Sequence, residues 1–401
     1  MKATELAPGI YSVGAVDWNV RDFHGYSTKQ GTTYNSYLII DEKVTLIDTV
    51  KKEFVEELIA NIRSIIDPKK IDYVISNHTE MDHSGGLSEV MNILGKEKPV
   101  YCSEKGLENL SRHIYGKLNL KAVKDGEELK IGKRTFTFLE TRMLHWPDSM
   151  FSYLKEDKIL FSSDAFGEHY AGPERFDDEI KDEFIMPHAK KYYANILLLY
   201  SPLIKKLLGR VAELGLQIKM ICPDHGIIWR TDPSKIISAY AEWCEQKPTK
   251  KAIVVYDTMW HSTEKMAEAI TAGLNSTGVY TLPMHLRSCH RSDIITEVMD
   301  AGAVIVGSPT LNNQIFPTVG DFLVYMKGLK PRNKIGAAFG SYGWSGESVK
   351  LIRRELDEMK FNMMDAVDDI NIKFVPNEQD IKSCVELGEK IGKKLSGLKV
   401  F

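Results

Sequence analysis

Four metal-ligating side chains fall within six residues in His78-x-Glu80-x-Asp82-His83, and His145, Asp164 and His225 follow at wide spacing. That makes seven candidate ligands, and none of them is cysteine. The apolar run Tyr73-Val74-Ile75 before His78 reads as a buried strand, and Gly85-Gly86 as the turn that closes the loop after it. A loop of this kind aims several side chains at one point. Imidazole accepts zinc, copper, nickel or iron, whereas each carboxylate moves the preference toward harder ions of higher coordination number. With three carboxylates among the seven, the set suits two irons better than two zincs.

At 401 residues the chain is too long for one ordinary core, so two domains are expected. Charged residues make up 27% and the net charge is −3, which gives no case for nucleic acid or an anionic membrane as partner. The richest apolar stretch, Ala194 to Tyr200, is broken by Ser201-Pro202, well short of a membrane span, and the beginning of the chain lacks a charged-then-apolar signal sequence. Cys102, Cys222, Cys244, Cys289 and Cys384 are scattered and never form Cys-x-x-Cys. They read as reduced thiols of a cytoplasmic protein and leave no fused rubredoxin-type iron site, so electrons are expected from a separate protein.

Short apolar strands are expected at 34–40, 44–47, 73–75 and 100–102, with an amphipathic helix at 53–66. Further strands are expected at 135–139, 150–154, 159–162 and 218–222, with a long helical stretch at 189–214. Every candidate ligand then falls just after a strand, where loops converge while the sheets stay rigid. The polar run 245–251 is the linker candidate, giving domains at 1–248 and 249–401. Beyond it, strands at 252–256, 278–282, 303–307 and 334–339 alternate with helical patterns, the grammar of a doubly wound parallel sheet.

The first of those strands runs into Asp257-Thr258-Met259-Trp260-His261-Ser262-Thr263-Glu264, a hydroxyl-rich turn that opens a helix. Helix N-terminal N–H groups plus Ser and Thr hydroxyls hold a phosphate without Lys or Arg. Taken alone, the turn reads as an ordinary helix cap. Two more segments, Ser308-Pro309-Thr310-Leu311-Asn312-Asn313 and Gly340-Ser341-Tyr342-Gly343-Trp344-Ser345-Gly346, bring three loops to the carboxyl ends of one sheet.

The four-ligand loop and its distant partners resemble the metallo-β-lactamase fold, whose zinc members usually carry His where this chain has Glu80. That exchange, with Asp22-Phe23-His24-Gly25-Tyr26, Gly31-Thr32-Thr33-Tyr34-Asn35, Met143-Leu144-His145-Trp146-Pro147-Asp148-Ser149-Met150 and Pro223-Asp224-His225-Gly226-Ile227-Ile228-Trp229, resembles the flavodiiron proteins, or A-type flavoproteins, over nearly the whole chain.

The resemblance implies an α/β chain with an N-terminal metallo-β-lactamase-like αββα sandwich followed by a flavodoxin-like sheet. It implies one iron on His78, Glu80 and His145, a second on Asp82, His83 and His225, and Asp164 as the bridge. It places Thr258, Met259, Trp260, Ser262 and Thr263 around the phosphate and ribityl chain of FMN, with Pro309, Thr310, Leu311, Asn312, Ser341, Tyr342, Gly343 and Trp344 flanking the ring. Trp260, Tyr342 and Trp344 are either ring-stacking or packing residues. His24 and Tyr193 are implied to approach the diiron pocket, with the choice between Tyr192 and Tyr193 open. Asp148 and Asp224 either orient ligand histidines or are solvated.

The implied activity is reduction of O2 to water or NO to N2O, fed by a rubredoxin-like donor in a head-to-tail homodimer or a dimer of dimers. Two other readings remain at this stage. One is a dinuclear-metal hydrolase with a regulatory flavin domain, and the other is an electron carrier built on the flavodoxin half.

Overall fold

Strands buried at nearly every position build two packed sheets. In the computed structural model, which describes residues 2–113, 117–361 and 368–397, the chain forms two compact units. The first comprises 1–24, 28–192 and 202–241. Its larger sheet runs in chain order through β1 (Thr4–Ala7), β2 (Ile10–Ser12), β3 (Tyr37–Ile39), β4 (Val44–Ile47), β5 (Ile71–Ser76), β6 (Pro99–Ser103) and β7 (Asn119–Val123). Pairing is antiparallel up to β4 and parallel from β4 to β7. The second sheet runs β8 (Glu128–Lys130), β9 (Thr135–Glu140), β10 (Met150–Leu154), β11 (Ile159–Phe161) and β12 (Met220–Cys222), with only the last pair parallel.

Period-two alternation assigns the faces. Tyr37, Ile39, Ile47 and Ile75 meet Phe136, Phe138, Met150 and Phe161 between the sheets. Leu38, Leu46 and Val74 point the other way, onto α1 (Val55–Arg63), α3 (Leu87–Leu94) and α4 (Glu104–His113) through Leu58, Ile62, Val90, Leu94 and Leu110, with the short α2 (Met81–Ser84) preceding α3 in the chain. Helices α5 (Asp182–Tyr192), α6 (Ser201–Glu213) and α7 (Pro233–Glu245) complete the series. Leu207, Leu208 and Ile237 of α6 and α7 share a cavity of about 290 Å3 with Phe151 and Leu160 on the outer face of the second sheet. The expected αββα layering is therefore what forms.

The second unit comprises 25–27, 193–201 and 242–401. Strands β13 (Thr249–Tyr256), β14 (Tyr280–His285), β15 (Ala301–Leu311), β16 (Ile335–Tyr342) and β17 (Ile370–Lys373) lie in the order β14-β13-β15-β16-β17, all parallel. Helices α8 (Ser262–Ser276), α9 (Arg291–Val298), α10 (Pro317–Leu329), α11 (Ser348–Glu358) and α12 (Glu378–Gly397) follow the strands. Helices α8 and α12 approach closely enough that a β-carbon on Gly273 would stand 2.1 Å from the Val385 carbonyl oxygen, so glycine is required there.

Four expected elements differ. Residues 34–40 split into Thr32–Tyr34, paired with Ala15–Asp17, and β3, because Asn35 turns aside to donate to the carbonyls of Pro223 and Gly226. The stretch 189–214 is interrupted by a wide turn at Tyr193–Leu197 and a tight one at Leu198–Tyr200 before α6, since Pro202 lacks the N–H that a continuous helix needs. The strand expected at 278–282 lies at Tyr280–His285. Residues 308–311 continue β15 and pair with Gln314–Ile315 as a hairpin, its turn made by Asn312 and Asn313 at φ 49° and 60°.

Candidate metal centre and flavin cradle

Strand ends place the ligands. His78 and Glu80 follow β5, Asp82 and His83 form the single turn of α2, His145 lies between β9 and β10, Asp164 follows β11, and His225 follows β12. The Asp224 N–H donates to the Ser163 carbonyl at 2.8 Å, which ties the last two loops together. Gly226 turns at φ 78°, and a β-carbon there would meet Glu168 Oε1 at 2.1 Å, so the residue after His225 must be glycine.

The seven side chains converge as two sets sharing one carboxylate. Asp164 Oδ2 lies 2.9 Å from His145 Nε2 and 3.5 Å from His78 Nε2. Glu80 Oε2 closes that set at 3.0 Å from His145 and 3.3 Å from His78. Asp164 Oδ1 lies 3.1 Å from His83 Nε2 and 3.4 Å from His225 Nε2. Asp82 Oδ2 closes the second set at 3.3 Å from His83 and 3.1 Å from His225. One carboxylate oxygen thus serves each trio, as a bridging ligand would. Asp82, His83, Asp164 and His225 are all buried.

The outer nitrogens are held as well. His78 Nδ1 lies 3.2 Å from Asp148 Oδ2, and His225 Nδ1 is 2.6 Å from the Thr33 carbonyl. Each proton therefore sits on Nδ1 and leaves Nε2 for a metal. Asp148 is buried rather than solvated, so its orienting role is the one realised. Asp224 Oδ2 stands 3.7 Å from His83 Nδ1, beyond a hydrogen bond.

Burial opposes charge throughout, but the cluster offsets it. Glu80, which burial would raise, is held well below the carboxylate range by hydrogen bonds from His145 and His78. His78, which burial would lower, is pushed up to about 10 by Asp148, Glu80 and Asp164. Among the described residues, Asp82 Oδ1 and Oδ2, His83 Nε2 and Asp164 Oδ1 are buried and, though close to one another, make no hydrogen bond of proper geometry. Buried acceptors left in that way fit a cation, so the donor set suits a pair of metal ions.

His24 Nε2 stands 3.4 Å from Glu80 Oε1 with its side chain 75% exposed, on the rim of the cluster. Tyr193, one of the two adjacent tyrosines of which one is implied to approach the metals, belongs to the second unit, its hydroxyl 3.1 Å from Ser201 Oγ and its ring 5.4 Å from Trp243. Tyr192 is the residue brought to the cluster, its ring 5.0 Å from His169 and 6.0 Å from His225. Adjacent residues in the last turn of α5 point about 100° apart, and sequence alone does not fix which faces inward. Burial, with Asp164 nearby, raises the Tyr192 hydroxyl well above its ordinary value and keeps it protonated.

His169 is a residue that sequence reading missed. It is buried, 4.9 Å from the His225 ring, with Nδ1 2.8 Å from Thr32 Oγ1. Burial, with His225 acting in the same direction, keeps it neutral. Lying outside every ligand motif, it gave no spacing signal.

In the second unit, Thr258, Met259 and Trp260 form the turn after β13, and Ser262 and Thr263 open α8. Thr258 Oγ1 is buried without a hydrogen-bond partner, and the α8 N-terminus is capped by no side chain. Both observations fit a phosphate. Thr263 Oγ1 lies 3.0 Å from Ser341 Oγ, which joins the first and last segments of the cradle. Pro309, Thr310 and Leu311 belong to β15, and the Thr310 hydroxyl is engaged by Ser348 at 2.9 Å. Tyr342 ends β16 and Gly343 follows it. Trp260 and Trp344 are 87% and 83% exposed, so neither packs in the core.

Comparisons with known proteins agree with both halves. Residues 32–226 match the family described as "ODP family beta lactamase" and residues 254–388 match "Flavodoxin". A nitric oxide reductase of Moorella thermoacetica is 47% identical over 98% of each chain. A rubredoxin-oxygen oxidoreductase of Megalodesulfovibrio gigas is 46% identical, again over 98% of each. The crystal structure of a protein from Giardia intestinalis, described as flavodiiron, superposes with a TM-score of 0.94 at 40% identity, covering 99% of this chain and 97% of that one.

Proposed function

Since this chain belongs to the flavodiiron protein family, we propose that it is an oxidoreductase carrying electrons from a separate donor through FMN to a non-haem diiron centre that reduces O2 or NO. One iron is assigned to His78, Glu80 and His145, the other to Asp82, His83 and His225, with Asp164 between them. The observation that carries this is the split of the Asp164 carboxylate, Oδ2 toward the first trio and Oδ1 toward the second. The metal domain is assigned to 1–248 and the flavin domain to 249–401.

When bound, FMN supplies electron storage and the iron pair supplies open positions for a diatomic gas. Reduction of O2 to two waters takes four electrons and four protons, and two NO give N2O and water with two of each. The chain's own part is orientation and protons. Asp148 and the Thr33 carbonyl fix the ring orientations of His78 and His225, the Tyr192 hydroxyl offers a proton, and neutral His169 and exposed His24 stand beside the pocket. Glu80 argues against the hydrolase reading, since zinc centres of this fold usually carry His there.

The donor is proposed to be of the rubredoxin kind, the assembly a head-to-tail homodimer and the location cytoplasmic. Metal and flavin analysis tests the core of the reading, with two irons and one FMN per chain expected. A zinc-filled site from iron-replete cells refutes it. Turnover on O2 and on NO with one reduced donor assigns the preferred gas.

A further inference from the structure

Asp257 holds a fully buried carboxylate at the end of β13, where the flavin turn begins. Its donors come from three segments of the second unit. The Thr258 N–H donates to Oδ1 at 2.6 Å, and the Thr318 hydroxyl, in the first turn of α10, donates to Oδ2 at 2.5 Å. From the segment ending and following β14, Arg287 Nε lies 3.0 Å from Oδ1 and His285 Nε2 lies 3.4 Å from it. Arg287 reaches further, its Nη2 donating to the Thr258 carbonyl at 3.1 Å.

Both peptide groups of Thr258 are therefore occupied, the N–H by Asp257 and the C=O by Arg287. Its side-chain Oγ1 is the polar atom left over, and it is buried without a hydrogen-bond partner. A buried hydroxyl in that state costs free energy unless a ligand meets it. The clamp fixes the main chain from which this hydroxyl projects.

Resting on the flavin reading above, we infer that Asp257 and Arg287 are positioning residues for FMN, clamping Thr258 so that its hydroxyl is presented to the flavin phosphate. Electrostatics alone gives the opposite sign for removal of Asp257. A buried carboxylate near a phosphate dianion repels it, so neutralising Asp257 while keeping Arg287 would tighten FMN. A positioning role weakens FMN instead, because an Asn amide sets its NH2 against the donors of Thr258, Thr318 or Arg287. The clamp also acts on the phosphate end alone, so riboflavin, which has no phosphate, is spared.

The test strips flavin from the full-length holoprotein and titrates it back with FMN and, separately, riboflavin, for wild type, Asp257→Asn, Arg287→Met and the milder Thr318→Val. Asp257→Asn is expected to weaken FMN at least about tenfold and Thr318→Val about threefold, with riboflavin affinity within twofold of wild type and iron content unchanged. The double Asp257→Asn/Arg287→Met variant should be little worse than the weaker single one, since both remove the same clamp. Unchanged or tighter FMN in Asp257→Asn overturns the inference, and so does equal weakening of FMN and riboflavin, which would mark a merely structural ion pair. Should Asp257→Asn fold poorly, Thr318→Val decides on the same comparison. If wild type takes up no FMN, the flavin reading itself falls and the clamp with it.

Discussion

Asp148→Asn tests whether the outer hydrogen bonds of the ligands govern metal retention. In the wild type, Asp148 Oδ2 accepts from the Thr79 N–H at 2.8 Å and faces His78 Nδ1 at 3.2 Å, while Oδ1 accepts from Asn109 Nδ2 at 3.1 Å. An Asn in the same place keeps one oxygen. Its cheaper orientation leaves that oxygen toward Thr79 and His78 and sets its NH2 against the Asn109 NH2, losing a hydrogen bond to a carboxylate of about 2 kcal/mol, a cost to the fold that is the same with or without metal. The contact with His78 also loses its charge assistance, about another 1 kcal/mol. Only the second loss bears on the metal, and about 1 kcal/mol corresponds to roughly fivefold in metal affinity, somewhat below the range of about 10- to 100-fold found when a partner of a ligand histidine is removed outright. Chelator titration with iron and FMN counted per chain measures it. Because His78 belongs to one trio only, iron content should pause near one per chain before the second iron leaves, with FMN unchanged. Iron retention within twofold of wild type would refute the reasoning.

Tyr192→Phe should keep iron and FMN but cut gas turnover about 100-fold if its hydroxyl donates a proton, whereas Tyr193→Phe should leave turnover within twofold. Equal effects of the two would undo the assignment to Tyr192. Changing Glu80 to His restores the usual zinc ligand set, so the zinc-to-iron ratio in purified protein should rise and turnover fall. Undiminished iron and activity count against the ligand argument. With NADH alone turnover should be slow, and a rubredoxin with its reductase should make it fast; efficient direct NADH oxidation would contradict the external-donor reading. Mixing a His145→Ala subunit with one lacking Thr258, Ser262 and Thr263 hydroxyls should restore about a quarter of wild-type sites in a head-to-tail dimer. Verified mixed dimers, loaded yet inactive, would exclude transfer between subunits.

Much of the metal site was legible because each ligand sits one short step past a strand. Strand ends are announced by β-branched and aromatic runs, such as Tyr73-Val74-Ile75 before His78, and the ligand residue types announce themselves. Residues recruited by packing left no such mark. His169 and Asp257 act through buried contacts made across 137 and 61 residues, with Thr32 and Thr318 respectively, and no local pattern encodes those distances. The choice between Tyr192 and Tyr193 stayed open in the sequence for a related reason. It turns on where a helix gives way to a wider turn, and that follows from Pro202 and from packing rather than from periodicity. Strands were misread where a side chain diverts the backbone, as Asn35 does, or where an Asn-Asn turn folds the end of a strand back on itself.

Charge accounting explains why the third carboxylate matters. Glu80, Asp82 and Asp164 place three negative charges in a buried cluster with four histidines. Such charges are costly to bury unless paired. Two divalent ions bring four positive charges, leaving a net charge of one with neutral imidazoles. Replacing Glu80 by His would leave two, a stronger Lewis acid better suited to activating water. With Glu80 the more oxidised ions are offset better, because each added positive charge meets a further fixed carboxylate at short range. A hydrolase needs one constant charge state, whereas an electron-accepting centre must tolerate two. In this cluster the carboxylate that closes one trio at 3.0 Å from His145 is the one that separates those demands.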